Sequence, residues 1–230
     1  NEASLALVYE PSMTPEGVFA GARKGSGKFS IVVEGVAAHA GRAFYEGRNA
    51  ICHLAALIGD INSLNNPEKT LTVNVGLISG GTALNVVPDK AVVKCDVRFE
   101  TEGDKVFFER NITQLIEKYS KVEGYKVSLH GGFSRPEKPL SAKTLKLFHT
   151  LQAVGKQLNL PIEWQSSGGC CDGNNLAAQG LAVIDTLGVR GGNLHSDKEF
   201  MWCDSLLERS QLSALLLMTL AQGSIKDFSS

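Results

Sequence analysis

The residue of this chain with the plainest chemical potential is His195, in the glycine-rich segment Thr186–Phe200, TLGVRGGNLHSDKEF. The segment begins where a strand runs out, loosens through Gly188, Gly191 and Gly192, and presents an imidazole ahead of an acidic, aromatic-edged stretch. A histidine at such an exit can ligate a metal ion, or it can simply be solvated. Glu10 ends an apolar strand just before Pro11. Ligands of open α/β sheets gather at the carboxyl ends of strands, so this carboxylate is placed to meet a metal or a substrate, or else to lie at the surface. Both residues fall at strand exits of one predicted layer. Between them in sequence lies GGCCDGN, Gly168–Asn174, a second glycine-rich turn. Asp172 is placed there to cap the helix that follows, or to orient a ligand imidazole from behind. Cys170 and Cys171 point opposite ways if extended, so they cannot both ligate one ion.

A second group of polar residues lies in the middle of the chain. GVAAHAGRAFYEGRNAI places His39 after a strand and before a helix, among small residues that allow close approach. GGTALNVVPDKAVVKCDVRF places Asn85 in a loop and Arg98 on a strand. Arg98 is one residue out of phase with Val97 and Phe99, so it faces the open side of the sheet, as a solvated charge or as a fork for a substrate carboxylate. His53, His130 and His149 read as structural or surface residues.

These side chains need elements to hold them. Lys28–Val36 reads as a strand, Arg48–Leu64 as a helix with Ile51, Leu54, Ile58 and Ile61 on one face, and Thr70–Ser79 as a strand burying Leu71, Val73, Val75 and Leu77. Ala91–Phe99 alternates as a strand, Lys105–Tyr119 carries Phe108, Ile112, Leu115 and Tyr119 on a helical stripe, and Tyr125–Leu129 closes as a strand. The order β-α-β-β-α-β is the ferredoxin-like arrangement. Around it the chain reads as parallel α/β: a buried strand Leu5–Tyr9, a linker Phe133–Pro139, a helix Ala142–Leu158, a strand Ile162–Gln165, a short helix Gly173–Gln179, a strand Ala182–Leu187, and a last helix opened by a capping box, Ser205 to Glu208. The expected organisation is an α/β domain over residues 1–23 and 137–230, interrupted by an inserted α+β domain over 24–136. A strand as apolar as Leu5–Tyr9 needs neighbours on both faces, which suggests that the sequence is the later part of a longer chain.

Composition narrows the function classes. A net charge of −1 and a pI near 6.6 argue against an electrostatic nucleic-acid partner. No apolar run approaches a membrane span, and the start carries no signal-peptide pattern. Five cysteines, largely within apolar segments, fit neither a disulfide framework nor a zinc knuckle, and read as buried thiols of a reducing, cytoplasmic compartment.

Taken together, VYEP, GVAAHAGRAFYEGRNAI, GGTALNVVPDKAVVKCDVRF, GGCCDG and GVRGGNLHSDKEF, in this order and spacing, resemble the di-zinc peptidase and amidohydrolase family that includes glutamate carboxypeptidase, acetylornithine deacetylase, succinyl-diaminopimelate desuccinylase and aminoacylase. The resemblance runs from about Val8 to the last helix. It implies a partial zinc-peptidase-like α/β catalytic domain with an inserted lid or dimerisation domain. It further implies that Glu10 is a carboxylate ligand of one zinc and His195 a histidine ligand of the other. His39 and Asn85 would reach the scissile carbonyl across a dimer or as a lid, and Arg98 would hold the substrate's free carboxylate. The implied chemistry is hydrolysis of an amide bond in a peptide or N-acyl amino acid, with two zinc ions per full-length chain. One glutamate and one histidine suit cobalt or manganese as well.

The departure from the family lies at the front. Its His-x-Asp motif, bridging Asp and Glu-Glu pair precede the VYEP strand, and no residue before Glu10 supplies them. One ligand per ion falls short of the three or so that a catalytic zinc takes from protein, so the chain alone is expected to be inactive. The competing expectation is a non-catalytic dimerisation or binding module, with residues 24–136 pairing two copies. Cys171 stands where relatives usually carry Ser or Thr, a change expected to have little effect.

Overall fold

The computed structural model describes residues 3–65, 70–223 and 228. In chain order the strands are β1 (Leu5–Leu7), β2 (Phe19–Arg23), β3 (Gly25–Glu34), β4 (Ala38–His39), β5 (Thr72–Gly80), β6 (Val86–Val87), β7 (Lys90–Phe99), β8 (Lys126–Arg135), β9 (Trp164–Ser167), β10 (Ala182–Ile184), β11 (Gly191–Gly192) and β12 (Phe200–Met201). The helices are α1 (Ala50–Asn62), α2 (Glu102–Ser120), α3 (Ala142–Gln157), α4 (Asp172–Ala178) and α5 (Cys203–Ala221). They divide into two units, one formed by Gly25–Arg135 and the other by the chain on either side of it. No helix among the described residues is long and apolar enough to cross a membrane.

In the Gly25–Arg135 unit, β5, β7, β3 and β8 lie side by side in that order, every neighbouring pair antiparallel. With α1 after the first strand and α2 after the third, this is the ferredoxin-like arrangement. Ala91, Val93, Cys95, Val97 and Phe99 alternate into the core, as period-two patterning requires. Helix α1 is capped by the Asn49 side chain, which accepts from Cys52 N. Its buried stripe is Ala50, Leu54, Leu57 and Ile61, rotated from the expected one: Ile51 is exposed and Ile58 only flanks the core. Two further expectations fail here. In β5 the register shifts between Val75 and Leu77, which sets Leu77 opposite Lys94, so Leu77 is 66% exposed rather than buried; Ile78 beside it is 58% exposed. Strand β8 runs on to Arg135, through residues expected to begin a linker, because Phe133 packs edge-on against Phe29 and Phe99 in the core. Gly131 makes that extension possible: its φ is +99°, and a Cβ there would meet the Lys28 carbonyl oxygen at 2.1 Å.

In the other unit, β1 pairs with β10 and β2 with β9, both in parallel. The core gathers Phe19, Leu147, Phe148, Leu151, Ile184, Leu212 and Leu216. Strand β1 is half-buried, not buried as expected; among the described residues β10 is its paired neighbour. Ser141 caps α3 through Thr144 N. The expected capping box of the last helix is absent, because α5 begins earlier, at Cys203. Ser205 Oγ donates to Trp202 O instead and accepts from Arg190 N, while Glu208 pairs with Arg190 at 3.4 Å. Nor are the cysteines uniformly buried: Cys95 and Cys171 are, Cys52 and Cys203 are exposed, Cys170 lies between, and none is in a disulfide.

Candidate functional site

Glu10 and His195, far apart in sequence, line one cavity of about 290 Å³ in the unit formed by the two ends of the chain. Glu10 is delivered by the segment that leaves β1. That segment is tied down by Gly188 N, which donates to Glu10 O at 2.9 Å, and by Ser12 N, which donates to Val189 O at 3.1 Å. His195 sits on the loop between β11 and β12. Gly191 and Gly192, read from sequence as loosened chain, form one strand of this small antiparallel ribbon. The contact admits only glycine at position 191, where a Cβ would fall 2.1 Å from Phe200 O. The loop closes on itself: His195 N donates to the Glu199 carboxylate at 3.1 Å, and Ser196 Oγ donates to Asn193 O at 2.7 Å.

The backbone around this cavity is strained. Among the described residues four that are not glycine have positive φ, and three of them, Thr186, Asn193 and His195, belong to this segment, at +64°, +55° and +65°. Left-handed backbone costs an L-residue about 1–2 kcal/mol, and such residues concentrate at functional sites. Thr186 recovers part of that cost through its hydroxyl, which accepts from Ala20 N at 3.0 Å and donates to Asp185 O.

A buried ion cluster backs the cavity, and the sequence reading missed all of it. Asp185, with no exposed surface, accepts from Arg23 Nε at 2.9 Å and Nη2 at 2.7 Å and pairs with Lys138 Nζ at 3.1 Å. Lys138 is equally buried and donates to Ala20 O and Gly21 O. Burial opposes the Arg23 charge, but the Asp185 bonds outweigh it and hold the guanidinium pKa above its ordinary value. For Lys138 burial prevails, and its pKa lies below the usual lysine value in spite of Asp185. The signal in the sequence was Asp185 itself, a lone acid in the apolar run AVIDTLG, which no buried strand tolerates without a partner.

Asp172 does not cap α4. Cys171 does, its Sγ accepting from Gly173 N at 3.3 Å, while the Asn174 side chain accepts from Cys171 N to complete a capping box. Asp172, exposed, occupies the first turn, where a carboxylate complements the helix dipole. Cys171 thus fills the part a serine or threonine hydroxyl would play.

The other candidates belong to the Gly25–Arg135 unit. Strands β4 and β6 form a ribbon that brings His39 and Asn85 together: His39 pairs with Val86, and Ala40 N donates to Asn85 O at 2.9 Å. Both are exposed. Gly41 N donates to His39 Nδ1 at 3.2 Å, which leaves Nε2 to carry the proton of the neutral ring. A cavity of about 510 Å³ with an apolar lining of Phe44, Ile51, Leu84 and Val87 opens beside this ribbon. Arg98, half-buried on β7, closes its fork on Asp96, with Nε at 2.7 Å and Nη2 at 3.3 Å.

Glu10 and His195 are donors of the type that zinc, cobalt or manganese accepts. Among the described residues no three His, Cys, Asp or Glu side chains are placed to hold an ion together.

Residues 21–123 match the peptidase dimerisation domain of the M20 peptidases. The chain is 27% identical over 230 residues to carboxypeptidase G2 of Pseudomonas sp. (strain RS-16), covering 96% of this chain and 54% of that protein. Over most of its length the chain is thus similar to this peptidase, and over residues 21–123 to the dimerisation domain. A second relative, succinyl-diaminopimelate desuccinylase of Psychrobacter arcticus, is also 27% identical, over 94% of this chain and 54% of that protein. The chain therefore spans about half the length of these curated relatives. Among solved structures the fold is shared with aminopeptidase PepT of Bacillus cereus, with a TM-score of 0.84 at 19% identity over 96% of this chain and 58% of that one. It is also shared with the YXEP protein of Bacillus subtilis, a dinuclear metal binding peptidase from the M20 family, with a TM-score of 0.68 at 18% identity over 93% and 56%.

Proposed function

We propose that this chain is part of an M20 hydrolase that cleaves an amide bond next to a free carboxylate, as a carboxypeptidase or an N-acyl amino acid deacylase. The observation that carries the reading is the meeting of Glu10 and His195 at one cavity, in a chain related to carboxypeptidase G2. Glu10 and His195 would each hold one ion of a metal pair, zinc in the first instance, and the remaining ligands and the general base would come from elsewhere in the full protein. Bound there, the pair supplies Lewis acidity. His39 Nε2–H and the Asn85 amide donate to the scissile carbonyl as its oxygen gains charge. The Arg98 fork, closed on the Asp96 carboxylate in this structure, would exchange it for that of the substrate.

A specific observation supports the second reading, a dimerisation module. β5 is the outer strand of its sheet and leaves Leu77 and Ile78 exposed, within the residues that match a dimerisation domain. The two readings are compatible if the same unit pairs two copies of the full enzyme.

The test uses the longer protein with the complete metal site. His195→Ala and Glu10→Gln should each lower turnover by about a thousandfold or more, the scale of several kcal/mol of lost Lewis-acid stabilisation, with an unchanged circular dichroism spectrum. Activity like that of the wild type in either variant ends the metal assignment. For the chain by itself, calorimetric titration should find no tightly bound zinc pair; two tight ions per chain would contradict the ligand count.

A further inference from the structure

We infer that Arg23 is the positioning residue of the Glu10–His195 cavity: clamped by Asp185, it holds the Ser167–Cys171 wall in place through its other nitrogen. The inference rests on the hydrolase reading only for what the cavity is used for; the clamp itself is a matter of geometry.

Arg23 lines the cavity and spends its donors in two directions. Nε and Nη2 fork onto the two oxygens of Asp185, at 2.9 and 2.7 Å. Nη1 donates to Ser167 Oγ at 3.3 Å and to Gly169 O at 3.2 Å. With both arms engaged the guanidinium has no rotational freedom left. Its base is equally fixed, because Lys138 pairs with the same carboxylate while donating to Ala20 O and Gly21 O. The wall is held at one end by Lys24 N, which donates to Ser167 O at 3.1 Å, and at the other by the Cys171 cap of α4; Gly168 and Gly169 between them have high intrinsic backbone freedom, and the Arg23 bond to Gly169 O restrains that middle. Glu10 and His195 line the same cavity, so the clamp fixes one boundary of the space in which they act. Lysine cannot replace it: an ammonium is a point charge that answers Asp185 but cannot fork onto both sides.

A reporter is built into the wall, because Cys170 lines the cavity and is half-buried. With the exposed thiols removed by Cys52→Ser and Cys203→Ser, alkylation of Cys170 by iodoacetamide, followed by peptide mass spectrometry, reads the local order of the wall. Arg23→Met should raise that rate about tenfold or more while the protein stays folded, and Arg23→Lys should raise it comparably. Ser167→Ala, which removes one tie to Arg23 and the bond that Ser167 Oγ accepts from Gly169 N, should raise it about threefold. Leu151→Ala, a core change in the same unit, should lower overall stability and leave the Cys170 rate near that of the parent. The inference is overturned by a rate within about twofold of the parent in folded Arg23→Met, or in Ser167→Ala where Arg23→Met does not fold. It is overturned equally if Arg23→Lys returns the parental rate, or if Leu151→Ala raises the rate as much as Arg23→Met. The assay needs neither metal nor substrate. A flat Cys170 rate therefore leaves the hydrolase reading standing, and an active His195→Ala enzyme leaves the clamp standing.

Discussion

Asp185 answers two cations from inside the protein, Arg23 and Lys138, and Lys138 has no exposed surface of its own. Asp185→Asn leaves both cations buried against a neutral amide. We expect it to remove about 3–5 kcal/mol from the free energy of urea unfolding, and a loss below about 1 kcal/mol would mean that main-chain carbonyls alone satisfy them. The partners of this acid could not be read from the sequence, since Arg23 and Lys138 lie far along the chain and nothing in their spacing points to it. That Glu10 and His195 come to one cavity could be anticipated, because strand exits are marked by the pattern that precedes them, an apolar run that ends in Pro or Gly. Asp172 was misjudged by a single position: a carboxylate outranks a thiol as a helix cap, yet the geometry gives that place to Cys171.

The start of α2 shows how one element gains stability from a titrating group. Burial acts to raise the Asp104 pKa, but hydrogen bonds from the Thr70 and Thr101 hydroxyls, at 2.6 and 2.9 Å, bring it below the usual carboxylate value. A lowered folded-state pKa contributes stability above the unfolded value, near 3.9, and that stability is lost as pH falls through the folded one. Asp104→Ala should therefore cost about 1 kcal/mol near neutrality, and its difference from the parent should shrink as the pH drops below about 4, read from urea unfolding at several pH values. A gap that stays constant with pH would assign the effect to packing. At this scale the sequence was legible wherever a period ran without interruption, as in β7. It misled where one residue slipped: the irregularity at Gly76 in β5 reverses which face Leu77 takes, and a glycine gives no hydrophobic signal of it. Strand β8 was cut short for a related reason, since Gly131 and Gly132 resemble a turn until the aromatic packing of Phe133 is known.

For the molecule as a whole, the strand and helix order of residues 25–135 was enough to give the fold of that unit, because the β-α-β-β-α-β pattern has few compact solutions. We expect residues 25–135, expressed alone, to give a mixed α/β circular dichroism spectrum and to run as a dimer by light scattering. Lysine at both Leu77 and Ile78 should shift it to monomer. A monomeric parent segment would remove the dimer proposal, and a dimeric double variant would move the interface away from β5. The end-derived unit was less legible, because its parallel pairs are short and its charges meet only in three dimensions. Thr186 and His195 hold dihedrals that glycine would occupy without penalty. At 186 the hydroxyl's hydrogen bonds repay part of that penalty, but at 195 a lineage bred only for shelf life would drift toward glycine and discard the imidazole on the way. Endurance and chemistry thus make opposite demands on the same pair of backbone angles.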